Sequence, residues 1–208
     1  MQPMSLHERG RLVTIRARRF LLSLRRPGAA TNARLARRRG ETLDVRRALA
    51  ADVPALAALH VETWNDTYAP LMTGPPVAVR ERQWREAFAA DDGSWFCFVV
   101  TRPDGQLVGF AKGIVRERRE DPGELSKLYL RRDHQRLGWG RRLLGHVVRE
   151  FLGRGITSMS AFVEPSNPSC RFFEAVGGEW LREPDGRLNF NWYVWSDLRA
   201  LAARCPAG

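Results

Sequence analysis

Residues Gly123 to Leu144 read GELSKLYLRRDHQRLGWGRRLL, and three patterns follow one another within them. GELSKLYLRR reads as a strand. A short loop with Gly138 and Gly140 comes next. Leu143 and Leu144 then open an apolar stripe continued by Val147, Val148 and Phe151, the spacing of a helix with one buried face. Glycine is a poor helix former, so two at a helix start cost stability unless the backbone there has another job. A strand, a glycine loop and a helix start together can make an anion site. The free N–H groups of the first turn point outward, and the helix dipole adds positive potential. Arg136, Arg141 and Arg142 add charge, and arginine grips phosphate in a bidentate manner. The pattern is neither a nucleotide P-loop nor the dinucleotide fingerprint. On spacing alone, a tight turn with solvent-facing arginines fits as well.

Working outward, the ordered domain begins near Thr42. TLDVRRA is a strand in which Leu43 and Val45 alternate with polar neighbours. Asp52 is placed to cap a helix with Pro54 just inside it. That helix sets Leu56, Leu59 and Thr63 on one face, while His60, Trp64 and Tyr68 also recur every four residues. Pro70, Pro75 and Pro76 break the pattern before a second helix, VAVRERQWREAFA. SWFCFVV and QLVGFAKGIVRE flank the hairpin signal Pro103-Asp104-Gly105. Beyond the glycine loop and its helix come a strand, SMSAFVE, a helix from Ser166 or Asn167 to Gly177-Gly178, and a last strand, NFNWYVW. The expected order is β-α-α-β-β-β-α-β-α-β. The late β-α-β crossover is expected to be right-handed, with its two strands parallel. The fold class expected is α/β, a mixed sheet with helices on both faces.

The chain has 208 residues and a net charge of +11, which points to nucleic acid until the charge is located. Residues 1–40 hold eleven arginines and a single acid, Glu8. The remainder carries 23 basic and 22 acidic residues and is nearly neutral. The domains expected are therefore a flexible Arg-rich extension over 1–41 and an ordered domain over 42–208. Three readings of the extension stand open: a nonspecific tail, a binder of nucleic acid or lipid through Arg16, Arg18, Arg19, Arg25 and Arg26, and a targeting segment. Arginine is this chain's habitual base, since only Lys112 and Lys127 are lysines. Cys97, Cys170 and Cys205 match no metal spacing and read as reduced thiols, which points to the cytoplasm. No apolar run approaches the roughly 18 residues of a membrane span.

GELSKLYLRRDHQRLGWGRRLL resembles the central motif of the GNAT superfamily of N-acetyltransferases, with Gln135, Gly138 and Gly140 at its fixed positions. NPSCRFFEAVGG resembles the Asn-led helix of that family, and TLDVRRALAADVPALAALHVETWNDTYAPLM resembles the opening of a bacterial branch. The likeness runs from about 42 to 195 in the expected order. It implies a mostly antiparallel central sheet whose one parallel strand pair splays around Leu130 and Ala161 to admit acetyl-CoA, the co-substrate. Backbone groups of Leu128, Tyr129 and Leu130 would pair with the pantetheine arm. The loop of Arg136, Leu137, Gly138, Trp139, Gly140 and Arg141 would hold the pyrophosphate, with Gln135 at its start. Asn167 and Phe173 would contact the same co-substrate.

The implied reaction is attack of a primary amine, of a small molecule or a protein, on a thioester. An alkylammonium of pKa about 10.4 must first lose a proton. Glu124 is the expected base, with His60 and His134 as weaker candidates; the N–H of Leu128 would steady the oxyanion. Trp64, Thr67 and Tyr68 would meet the acceptor. In the family the aromatic pair of the Asn-led helix usually ends in Tyr, which serves the leaving sulfur; here that position is Phe173. Tyr129, Tyr193 or a water would have to substitute, and a non-catalytic acyl-CoA-binding or regulatory module is the alternative. No metal is expected, and a homodimer is left open.

Overall fold

The computed structural model describes residues 6–23, 41–68, 73–90, 92–116 and 120–207. Strand β1 (Asp44–Arg47) leads through a short 3-10 turn into helix α2 (Val53–Tyr68), which is followed by α3 (Val77–Ala89). Strands β2 (Trp95–Thr101), β3 (Leu107–Val115) and β4 (Gly123–Leu130) form a meander. Helix α4 (Trp139–Gly153) crosses to β5 (Met159–Phe162); α5 (Cys170–Ala175), the hairpin β6 (Glu179–Arg182) and β7 (Leu188–Trp195), and α6 (Leu198–Arg204) complete the domain. Ahead of it lies α1 (Leu6–Ser23).

The seven strands are ordered β1-β2-β3-β4-β5-β7-β6. Every pairing is antiparallel except β4 with β5. That exception follows from the α4 crossover, since only a long connection can return a neighbouring strand in the same direction. The expected mixed sheet with helices on both faces is what the chain forms. One face packs on α4, where Leu143, Leu144, Val147, Val148 and Phe151 are all fully buried. Truncating Phe151 to alanine is therefore a change of ~3–5 kcal/mol. The other face packs on α2 and α3 through Leu56, Leu59, Trp84, Val99 and Phe110.

Three elements lie outside the expected order. β6 is four residues long, and the Asp185-Gly186 turn that makes it a hairpin was passed over for the stronger pattern of β7. Helix α6 is short, and Asp197 caps it by accepting from the N–H groups of Arg199 and Ala200. Helix α1 falls in the Arg-rich extension. Glu8 and Ile15 are buried there, and the Glu8 carboxylate accepts the Leu188 N–H at 2.8 Å. Arg19 faces inward, donating to the Pro165 carbonyl, to Glu174 at 2.6 Å and to the Tyr193 hydroxyl at 3.2 Å. It is buried in the domain and so is no part of an outward basic surface; Arg25 and Arg26 lie outside the described residues.

Candidate active site

The parallel pair is short. Gly123 pairs with Met159 and Glu124 with Ser160, and the register stops there. From Leu125 to Leu130, β4 keeps its antiparallel partner β3 but has no β5 partner among the described residues. The two strands part at Glu124, and the β5-facing edge of β4 is left as an open line of backbone polar groups. Such an edge is a template for an extended chain of amide groups. A β-bulge at Ser126 lies just inside the fork: Lys112 opposes Lys127 while Gly113 opposes Leu125. Bulges re-aim the residues that follow, and those here are Lys127 to Leu130.

At the end of this edge the chain turns into the glycine loop. Gln135 Nε2 donates to the Leu130 carbonyl at 3.0 Å and ties the loop to the strand. Arg136 has φ 64°, alone among the described non-glycine residues in being positive, and Gly138 has φ 90°. The amides of Arg136 to Gly140 have no backbone acceptor among the described residues, whereas the Gly138 carbonyl receives the Arg141 and Arg142 amides and starts α4. Successive N–H groups in this conformation form an anion nest at a helix N-terminus. The two glycines differ. Gly138 is required by its own φ. A Cβ at Gly140 would meet only the Phe172 ring at 3.5 Å and Leu130 at 3.7 Å, ordinary contact distances. Trp139 turns inward to the core, with the Arg142 guanidinium 4.6 Å from its ring centre.

Arg131 pairs with Glu62 at 2.8 Å, and Arg132 Nη2 donates to the Asp66 carbonyl at 3.2 Å. These bonds hold the C-terminal half of α2 beside the end of β4. Tyr68 closes that half: its hydroxyl accepts Asn167 Nδ2 at 2.8 Å, and Trp64 lies 5.0 Å from its ring. Asn167 is buried, and its Oδ1 accepts the Ser169 N–H. Thr67 spends its hydroxyl on the Thr63 carbonyl. Glu124 stands at the fork with Arg116 Nε 3.0 Å from its Oε2.

Other expected groups stand elsewhere. Phe173 packs in the core between Tyr193 and Trp195, each 5.7 Å away. Tyr193 donates its hydroxyl proton to Glu174 at 2.9 Å. His134 is buried between Asp133 and Glu41 in a structural network. His60 is buried among Trp84, Phe110 and Tyr129, and its pKa is pushed down to about 3, first by burial and then by Arg80, Lys127 and Lys112. It is neutral at physiological pH. Lys127 itself is pushed down to about 8, mainly by burial. Sequence reading missed Lys112, Lys127, Arg80 and Trp84 as a group, although the rarity of lysine was a signal.

The sequence profile of the Acetyltransferase (GNAT) family matches residues 55–177. The chain belongs to the GNAT family of acetyltransferases. The family's co-substrate is acetyl-CoA, and membership makes this chain an N-acetyltransferase. The uncharacterized N-acetyltransferase YuaI of Bacillus subtilis (strain 168) is 31% identical over 170 residues, covering 76% of this chain and 95% of that protein. In fold, the chain is similar to the PaiA N-acetyltransferase of Thermoplasma acidophilum, solved with coenzyme A (TM-score 0.56, 18% identity, 74% of this chain and 96% of that one). The ribosomal-protein-alanine N-acetyltransferase of Brucella melitensis is also similar (TM-score 0.56, 25% identity, 73% and 98%). The splayed edge and the amide nest fit an acetyl-CoA arm and its pyrophosphate. Among the described residues, no helix is long and apolar enough to cross a membrane, and all three cysteines are free and buried.

Proposed function

We propose that the chain moves an acetyl group from acetyl-CoA to a primary amine of a small molecule by direct attack. The observation that carries this reading is the fork: β4 and β5 part at Glu124, which puts a carboxylate where the open edge begins. Bound acetyl-CoA supplies the activated acyl carbon. The backbone of Leu128, Tyr129 and Leu130 holds the pantetheine amides along the open edge, and the amides of Arg136 to Gly140 hold the pyrophosphate. The acceptor enters from the side of Trp64, Thr67 and Tyr68. Glu124 takes a proton from the ammonium, the amine nitrogen bonds to the acyl carbon, and the N–H of Leu128 steadies the charge on its oxygen. The nitrogen gives its second proton to solvent, the carbon–sulfur bond breaks and the thiolate leaves. A thiol of pKa about 8.5 is a fair leaving group without the phenol that Phe173 lacks.

The test is thiol release from acetyl-CoA over a panel of amines, with acetyl-CoA binding followed by calorimetry. Turnover on some amines with micromolar binding is expected. Absence of both refutes the reading. Tight binding without turnover on any amine would favour a binding module.

A further inference from the structure

The two lysines of this 208-residue chain stand directly opposite each other, Lys112 on β3 against Lys127 on β4. Like charges in that relation are destabilising. Chance placement is a weak account, because 32 of the 34 basic residues are arginines and neither lysine lies elsewhere. Both side chains are on the α2/α3 side of the sheet. Lys112 Nζ sits 4.4 Å from the centre of the Trp95 ring and 5.2 Å from that of Trp84. Lys127 follows the bulge, one residue before Leu128, and its ammonium donates to Ser126 Oγ at 3.4 Å. Arg80 stands on α3; its Nη1 donates to Gln83 at 3.0 Å, and its Nε is buried with no partner among the described residues. His60 closes the cluster, 2% exposed, with Nδ1 also unpartnered among the described residues. The Arg80 guanidinium and the ammonium groups of Lys112 and Lys127 all push the pKa of His60 down, so all three positive charges are felt at one ring. Glu124, whose charge acts on Lys127, is itself paired with Arg116. Three half-buried cations and a buried ring nitrogen with no partner among the described residues are costly to fold around unless something anionic completes them.

We propose that this cluster binds an anionic group of the acceptor, so that the amine substrate is one bearing a carboxylate or phosphate a few bonds from its nitrogen. This rests on the acetyl-transfer reading above, since it places the anion beside the strand residue, Leu128, that meets the acyl group. The compact ammonium of lysine suits the role. It offers three donors that swing toward an oxygen from either strand. The aromatic rings of Trp84 and Trp95 hold the Lys112 ammonium in place.

Two measurements test it. First, sodium phosphate is titrated at constant ionic strength against the full chain saturated with coenzyme A, which fills the Gly138 loop, while tryptophan fluorescence is followed. A saturable change is expected in the wild type, weakened about tenfold or more in Lys112→Met and in Lys127→Met, as loss of one charged hydrogen bond implies. Second, matched acceptors are compared: alanine against ethylamine, and phosphoethanolamine against ethanolamine. The anionic member is expected to have a kcat/KM about tenfold or more higher, most of it in KM, and the gap is expected to close in Lys112→Met and to persist in Lys112→Arg. The two pairs separate carboxylate from phosphate. Equal rates on charged and neutral members, or phosphate binding that survives both methionine variants, would overturn the proposal. Loss of acetyl-CoA binding in the wild type would instead strike the acetyl-transfer reading. The phosphate titration still decides the anion site in that case. A thermal melt of each variant confirms that it is folded.

Discussion

The two sides of β4 do different work with different materials. Its edge toward β5 is made of backbone: strand groups from Leu125 to Leu130 with no β5 partner among the described residues, then the amides of Arg136 to Gly140. Its face toward α2 and α3 is made of side chains: Lys127, with Lys112, Arg80 and His60 brought in from three other elements. A backbone site needs a particular chain path and few particular side chains, so it is tied to local sequence. A side-chain site needs particular residues and no particular local path. The first suits a co-substrate shared by a whole family, the second an acceptor that differs from member to member.

The largest expected effect falls where the two meet. Glu124→Gln keeps the shape and removes the proton acceptor. If Glu124 is the base, kcat falls by ~10²–10³-fold while acetyl-CoA affinity is held, and the acid limb of the pH–rate profile flattens. A kcat that barely moves would assign Glu124 to its pair with Arg116 and leave the base to another group.

The backbone side is sharpened at the two glycines. Gly138→Val forces a β-branched residue to φ 90°, a strain of ~1–3 kcal/mol that the nest absorbs by changing shape. Calorimetry should find acetyl-CoA bound about 10–100-fold more weakly. Gly140→Ala places its Cβ at ordinary distances from Phe172 and Leu130, so the melting temperature should hold. Any loss of acetyl-CoA affinity in Gly140→Ala then measures how closely the co-substrate approaches that position. Equal effects at both glycines would mean that steric access, and not backbone conformation, decides the loop.

This contrast also explains what the sequence made legible. The strand, glycine loop and α4 were readable because a positive φ at Gly138 and an apolar stripe from Leu143 to Phe151 both leave marks within a few residues. The hairpin at Gly105 was readable for the same reason. The lysine pair was not, because Lys112 and Lys127 look like ordinary strand residues until β3 and β4 are set in register. Helix α1 was hidden by its own arginines: Arg19 reads as surface charge, and only Glu174, Tyr193 and the Pro165 carbonyl, far away in sequence, turn it inward.

The side-chain face is sharpened by stability. Burial holds the Lys127 pKa at about 8, against 10.5 for the free group. Between those values the unfolded chain binds more protons than the folded one, so stability should rise as pH climbs from 8 to 10.5. Below pH 8 the penalty is present in full. Lys127→Met should remove that rise and raise the unfolding free energy at neutral pH by ~1–3 kcal/mol, a range that discounts the 1.36 kcal/mol per pK unit for partial exposure. Urea denaturation across pH 7–11 measures both. A variant no more stable than the wild type would mean that the lysines are already neutralised in the free protein.

The smallest effect concerns the hydroxyl that Phe173 lacks. Tyr193 is a phenol close to Phe173, and burial raises its pKa, so it keeps its proton. That proton is committed to Glu174, and its oxygen accepts from Arg19 of α1. A group so engaged has nothing left for a departing sulfur. Tyr193→Phe should cost ~1 kcal/mol of stability, the worth of an ordinary buried hydrogen bond, and leave kcat nearly unchanged. Tyr68 offers the opposite arrangement. Its hydroxyl accepts from Asn167 and its own proton has no acceptor among the described residues. If a phenol assists the thiolate, Tyr68→Phe should lower kcat by ~10-fold or more with stability little changed, and the loss should shrink with a more acidic leaving thiol. A fall in kcat for Tyr193→Phe, with Tyr68→Phe unaffected, would reverse the assignment and make the docking of α1 part of the catalytic arrangement.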